Sequence, residues 1–185
     1  YREGKKYKTS SAPIAEIDFS TASWRRAVLL LHDHERNWVM FAYGNSLNYQ
    51  TQSEICFYVW DTFETEHKAA GFKKMNAATV KIMRRLTFYC IQEIRYVLLG
   101  INISDKEEPE KKAFEEDRKI SALLGISIES WRKSYKKRWQ IMRKVCLDLD
   151  ELSILSTVRI RNEHISRNRY RNPDMPVSSG LAQKA

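Results

Sequence analysis

Lys119-Ile120-Ser121-Ala122-Leu123-Leu124-Gly125-Ile126-Ser127-Ile128-Glu129-Ser130-Trp131 reads as one helix ending, a tight turn, and a second helix beginning. The first helix closes on Leu123-Leu124. Gly125 makes the left-handed turn, because a residue without Cβ reaches positive φ at little cost. Ile126 plugs the corner, and Ser127 caps the helix that follows. This is the grammar of a helix-turn-helix, with Ile120, Leu124, Ile126 and Trp131 packing the two helices together. A plain helical hairpin uses the same grammar. What the turn is for therefore depends on the outer face of the second helix.

On a wheel of 100° per residue with Trp131 at the origin, Trp131, Tyr135, Met142, Val145 and Leu149 fall within about 40° of it. Arg132, Lys133, Lys136, Lys137, Arg143 and Lys144 fall between about 100° and 240°, on the opposite half. Arg138 is the exception: it lands on the apolar side, where its stem packs while its head reaches out to water. The chain has 185 residues, 32 Lys plus Arg against 23 Asp plus Glu, and a formal net charge of +9. Its pI of about 9.5 asks for an anionic partner, double-stranded DNA first and a membrane surface second. Residues 118–171 hold fourteen basic and five acidic residues, so the basicity is concentrated around the turn. The candidate DNA-binding set is Ser127, Glu129, Ser130, Arg132, Lys133, Lys136, Lys137 and Arg143. Arg132 or Lys133 would reach base edges, and Lys136 and Lys137 phosphates.

Working back toward the N-terminus, apolar residues recur at helical spacing. Trp24, Ala27, Val28, Leu31, Trp38 and Ala42 form one run, with a bend or second cap at His32-Asp33-His34-Glu35 and a stop at Tyr43-Gly44. A second helix is expected over about 49–66, with Ile55, Val59 and Phe63 on one face. Asn76 caps a third over 77–99, carrying Val80, Met83, Leu86, Cys90, Ile94 and Val97 inward. Six glycines and four prolines are too few for a sandwich or barrel. The fold class is all-α, a helical bundle with a helix-turn-helix in the C-terminal third. Its expected organisation is a flexible basic arm (1–19), a helical core (20–100), an acidic linker or exposed helix start (101–117), the helix-turn-helix with a long basic helix (118–161), and a flexible tail (162–185). The chain opens on Tyr1 and not on Met, consistent with a natural stretch ahead of it.

Several classes drop out. No apolar run is long enough to span a bilayer, and no signal-peptide pattern opens the chain. Cys56, Cys90 and Cys146 are an odd number, far apart, in helix-like apolar runs; they read as reduced core thiols of a cytosolic protein. Without a CxxC pair a zinc site is not expected. His32 and His34, two apart on a helix, would diverge by about 200° and share no metal ion. No glycine-rich phosphate loop, Gly-x-Ser-x-Gly elbow or acidic metal cluster is present, so neither enzymatic activity nor a cofactor is expected. Arg159 and His164 match the loose Arg-x4-His spacing of HEPN-type ribonucleases, but Ile160 stands where that family carries a polar residue.

The aromatic landmarks carry a resemblance. Ser23-Trp24-Arg25-Arg26-Ala27-Val28, Trp38 followed by Tyr43-Gly44, and Val59-Trp60-Asp61-Thr62-Phe63 resemble the lambdoid-phage antitermination proteins Q. The likeness continues through Leu124-Gly125-Ile126, Trp131, Tyr135 and Trp139, from about residue 20 to 158. It is to the type without zinc-binding cysteines, so the zinc-dependent detail of other lineages does not transfer. The resemblance implies a factor of the host cell's cytoplasm that binds DNA beside a phage late promoter and engages RNA polymerase paused just downstream. Such a factor then travels with the enzyme through terminators, and one lineage narrows or extends the RNA exit channel. The implied partners are double-stranded DNA and RNA polymerase holoenzyme, with nascent RNA a further candidate. Within that division of labour Arg25, Arg26 and Arg36 are candidate polymerase contacts. A weaker pattern, from Leu31 through Tyr43-Gly44 to Gln52-Ser53-Glu54-Ile55, resembles the DNA-binding region of sigma factors, although the stretch over 61–76 departs from it. A helix-turn-helix repressor would share the charge and the turn, and a helical RNA-binding protein or ribonuclease is the third reading. A repressor lowers transcription from a promoter, an antiterminator raises the product beyond a terminator, and a ribonuclease would depend on His164.

Overall fold

The computed structural model describes residues 22–100 and 109–171, with side chains placed over 22–100 and 114–167. The expected basic arm, the first part of the acidic linker and the end of the tail lie outside the described residues. Those residues are all-helical. Helices α1 (Ala22–Leu29) and α2 (Asp33–Ala42) divide the first apolar run where the sequence placed a bend. The break has a local cause: the Glu35 carboxylate accepts a hydrogen bond from the His32 backbone N–H (3.2 Å), half of a capping box that restarts the chain as a new helix. Helices α3 (Tyr49–Ala69) and α4 (Ala77–Leu98) begin on asparagines whose side chains accept from the backbone three residues on, Asn48 from Thr51 N–H and Asn76 from Thr79 N–H, both at 2.8 Å.

Helix α5 (Pro109–Leu124) starts inside the acidic stretch and ends at the expected turn. There Gly125 N–H bonds the Ala122 carbonyl and Ile126 N–H the Ser121 carbonyl, both at 3.1 Å, with Gly125 at φ +66°. This double closure satisfies two of the carbonyls that a helix end leaves open. Ser127 then accepts from Ser130 N–H and opens the last helix, α6. It begins as Ile128–Ser130, passes through a π-helical turn at Trp131–Tyr135, and runs on as Lys136–Arg171. The helix continues through residues 162–171 although the apolar periodicity stops near 161, because each residue added to an existing helix gains a hydrogen bond without a new nucleation cost.

Helix α6 is the axis of the bundle, and α1, α2, α3 and α4 all pack on it. One buried cluster draws Trp38 and Phe41 from α2, Ile55, Val59 and Phe63 from α3, Met83, Leu86 and Ile94 from α4, and Trp131, Trp139, Met142, Val145 and Leu149 from α6. Most residues expected to form the first-half core share this interior with the inner face of the last helix, but Val28 and Leu31 pack with Val39 in a second, smaller cluster. Val97, expected inward, is exposed in the last turn of α4. Two buried carboxylates set the register. Asp150 on α6 accepts from Trp38 Nε1 (2.7 Å) and from the Tyr43 hydroxyl (2.9 Å). Burial raises its pKa, against the pull of those two bonds. Glu35 accepts from the Ser156 hydroxyl (2.9 Å), so sliding α2 along α6 would orphan buried acceptors at both points.

The thiols lie in this interior. Cys90 and Cys146 are buried with their sulfurs 3.6 Å apart, and Cys56 is half-buried. Burial, with Cys146 nearby, pushes the Cys56 thiol up to about 12, far from a reactive thiolate. No helix among the described residues is long and apolar enough to cross a membrane.

Candidate nucleic-acid interface

The start of α6 carries most of the candidate residues, and the structure sorts them into two groups. The organising feature is Asp117 on α5, a buried carboxylate with three donors. Trp131 Nε1 donates to one oxygen (2.7 Å), and Arg132 Nε (2.9 Å) and Lys136 Nζ (2.8 Å) donate to the other. Burial alone would raise the pKa of Asp117, but the bonds from Lys136, Trp131 and Arg132 outweigh it and hold it below the ordinary aspartate value. The Arg132 guanidinium also lies over the Phe114 ring, 5.3 Å from its centre. Arg143 is spanned by two acids, Glu93 and Glu116, each at 3.1 Å. Three of the eight candidates are thus held by carboxylates from α4 and α5.

Lys133 and Lys137 form the other group. They are exposed and have no hydrogen-bond or ion-pair partner among the described residues. Ser127 and Ser130 are taken up in the cap, bonded to each other through their hydroxyls (3.0 Å), and Glu129 is exposed beside them. Arg138, placed on the apolar side by the wheel, turns toward α3: Nε donates to His67 Nε2 (3.1 Å), a second nitrogen donates to the Ser134 carbonyl, and the guanidinium lies 5.3 Å from the Phe72 ring centre. Burial first, and Arg138 second, lower the His67 pKa and favour neutral imidazole.

That contact brings in residues that the sequence reading passed over. It seats the α3–α4 connection against the start of α6, and residues 68–85 contain Lys68, Lys73, Lys74, Lys81, Arg84 and Arg85 without one acid. Lys68, Lys73, Lys74, Lys81, Arg84 and Arg85 are all exposed, with Arg84 over the Trp60 ring at 5.1 Å. The signal was in the sequence as an acid-free run. Its value depended on knowing that Phe72 and His67 dock on Arg138.

The other candidates lie elsewhere. Arg25 and Arg26 are exposed on α1, and Arg36 on α2 pairs with Asp33 at 2.6 Å. Helix α1 sits on the C-terminal half of α6, where Arg161 covers the Trp24 ring at 4.7 Å. Arg159 and His164 share α6, five residues and so about 140° apart around the helix, which keeps them from converging on one phosphate. His32 and His34 do not diverge as expected, since His32 stands outside the helix at its cap. Their rings stack (5.9 Å), and His34 stacks in turn on Tyr58 (4.2 Å).

The model of the phage antitermination protein Q family matches residues 1–178. Antitermination protein Q of Enterobacteria phage 82 is 28% identical over 155 residues, an alignment covering 84% of this chain and 62% of that protein. The chain therefore spans less than two thirds of the length of the curated relative it matches. No solved structure matches.

Proposed function

Because the chain belongs to the phage antitermination protein Q family, we propose that it is a transcription antitermination factor. It binds duplex DNA near a phage late promoter through the helix-turn-helix formed by α5 and the start of α6, joins RNA polymerase there, and carries it through terminators. The observation that supports DNA binding is a pair of exposed cationic stretches tied to one helix. Lys133 and Lys137 are exposed on α6 and hold no carboxylate among the described residues, and Arg138 of the same helix covers Phe72, within the acid-free run over 68–85. Cations that hold no intramolecular carboxylate keep their full charge for phosphates, and releasing condensed counterions drives such binding. Helix α1, with exposed Arg25 and Arg26, lies toward the other end of α6 and supplies polymerase contacts.

The test is binding to late-promoter duplex across a salt series. Lys133→Ala/Lys137→Ala should weaken all sequences alike and reduce the slope of log K against log salt by about 2, close to one unit per lost phosphate contact. An unchanged slope would remove this face from the interface. A repressor has the same surface, so the same preparations belong on a template bearing a terminator, where product beyond the terminator distinguishes the two.

A further inference from the structure

The unused half of one guanidinium leads beyond this reading. Arg132 spends only Nε on Asp117, and neither terminal nitrogen has a partner among the described residues. The side chain is 47% exposed although its anchor, Asp117, is 5% exposed. Its plane is fixed from two directions, by the bond at Nε and by the Phe114 ring. Lys136 shares the same carboxylate oxygen, so the group as a whole keeps one net positive charge. A half-exposed guanidinium held by Nε and by its face, with its terminal nitrogens still unbonded, has lost most of its rotamer freedom before any ligand arrives. The complement of a rigid two-donor fork is a pair of acceptors in one plane. On duplex DNA the major-groove edge of guanine, O6 with N7, presents such a pair. The residue lies within the first turns of the helix after the glycine turn, the part of such a helix that approaches base edges.

We propose that Arg132 is a specificity-determining residue that reads a guanine through its terminal nitrogens, and that Asp117 is the positioning residue that aims it. The proposal rests on the DNA-binding reading above and adds to it the base that is read. Lys133 and Lys137 hold the backbone, and Arg132 selects the sequence. Lysine does not replace arginine here, since an ammonium is a point charge without a planar fork. Asp117→Asn removes a negative charge beside the interface, so it should leave non-specific DNA binding unchanged or stronger while loosening the choice of base. A purely structural Asp117 would instead weaken both together.

The experiment is selection of duplexes from a randomised library by the full chain, with Arg132→Lys, Asp117→Asn and wild type in parallel and thermal melts confirming folded protein. Wild type should enrich a motif containing a guanine that Arg132→Lys no longer requires, with the remaining positions unchanged. Replacing that guanine by another base should cost wild type about 5- to 150-fold in affinity, the range for a good bidentate pair, and cost Arg132→Lys little. 7-Deazaguanine at the same position, which lacks the N7 acceptor, should weaken wild type and leave Arg132→Lys unaffected. Should Arg132→Lys enrich the same motif as wild type, the guanine reading is overturned while DNA binding stands. Should wild type enrich no motif, or bind no duplex, the DNA-recognition reading falls and this proposal falls with it. If Asp117→Asn melts early, the guanine assignment is still decided by Arg132→Lys, whose half-exposed side chain leaves Lys136 and Trp131 on the carboxylate.

Discussion

Replacing Trp131 by alanine should remove a large share of the stability of the protein, for reasons visible around one side chain. Trp131 is fully buried, stacks with Tyr135 and meets Trp139 edge-on in the main cluster. Truncating a buried tryptophan to alanine costs about 3–5 kcal/mol in lost transfer energy and residual cavity. The change also removes the donor to one oxygen of a buried carboxylate, a further loss of about 1 kcal/mol, at the low end because Arg132 and Lys136 still hold the other oxygen. A total of about 4–6 kcal/mol stands against a typical domain stability of about 5–15 kcal/mol. At about 2–4 °C per kcal/mol the melting temperature should fall by on the order of 10–20 °C. Trp131→Phe keeps most of the apolar volume and gives up the indole N–H, so it should lose only about 1–3 kcal/mol. Lys133→Ala, exposed two residues away, should stay within about 0.5 kcal/mol of wild type. Denaturant unfolding followed by far-UV circular dichroism measures all three. Should Trp131→Ala cost under about 1 kcal/mol, far below the range for a buried tryptophan, α6 does not face its neighbours as described.

Other outcomes follow from the same contacts. Arg143→Ala should destabilise the fold by about 1–3 kcal/mol at neutral pH, because Glu93 and Glu116 lose the cation between them; DNA affinity per folded molecule should not change, and titration of active protein would show whether it does. The pKa of Asp117 is depressed below its ordinary value of 3.8, so its carboxylate stabilises the fold above that value and the contribution is lost as pH falls through the lower, folded-state pKa. Acid unfolding of Asp117→Asn should therefore be flatter than wild type in that window, and parallel curves would count against the three-donor carboxylate. Arg25→Glu/Arg26→Glu should lower terminator read-through while leaving melting temperature and promoter-DNA affinity unchanged; a matching loss of DNA affinity would place α1 in the DNA interface.

Much of the fold was legible because helix boundaries are local chemistry. Asn76, Gly125 and Ser127 act at their own positions, and the apolar spacing from Ala27 to Ile94 needed no tertiary information to show which face is buried; Val97, one turn further on, follows the same spacing but is exposed. The site was harder to read for a physical reason. A helical wheel counts cations but cannot see which acids fold onto them, so Arg132, Lys136 and Arg143 appeared equivalent to Lys133 and Lys137. Glu116 and Asp117 belonged to an acidic run that looks solvated in sequence, and only the packing of α5 against α6 turns them into partners. The π-helical turn at Trp131–Tyr135 adds a second obstacle, because a fixed 100° per residue loses phase across a wider turn. Residues 68–85 were legible as composition and not as position, since Arg138 reaches Phe72 from far along the chain.

The direct measurement of read-through is transcription in vitro by purified host RNA polymerase holoenzyme on a template carrying a cognate late promoter followed by an intrinsic terminator, with and without the purified chain. An antitermination factor should give more full-length product beyond the terminator when the chain is present, with initiation from the promoter undiminished, and that gain should be lost with Lys133→Ala/Lys137→Ala. Reduced initiation with no gain in read-through would contradict antitermination and identify a repressor.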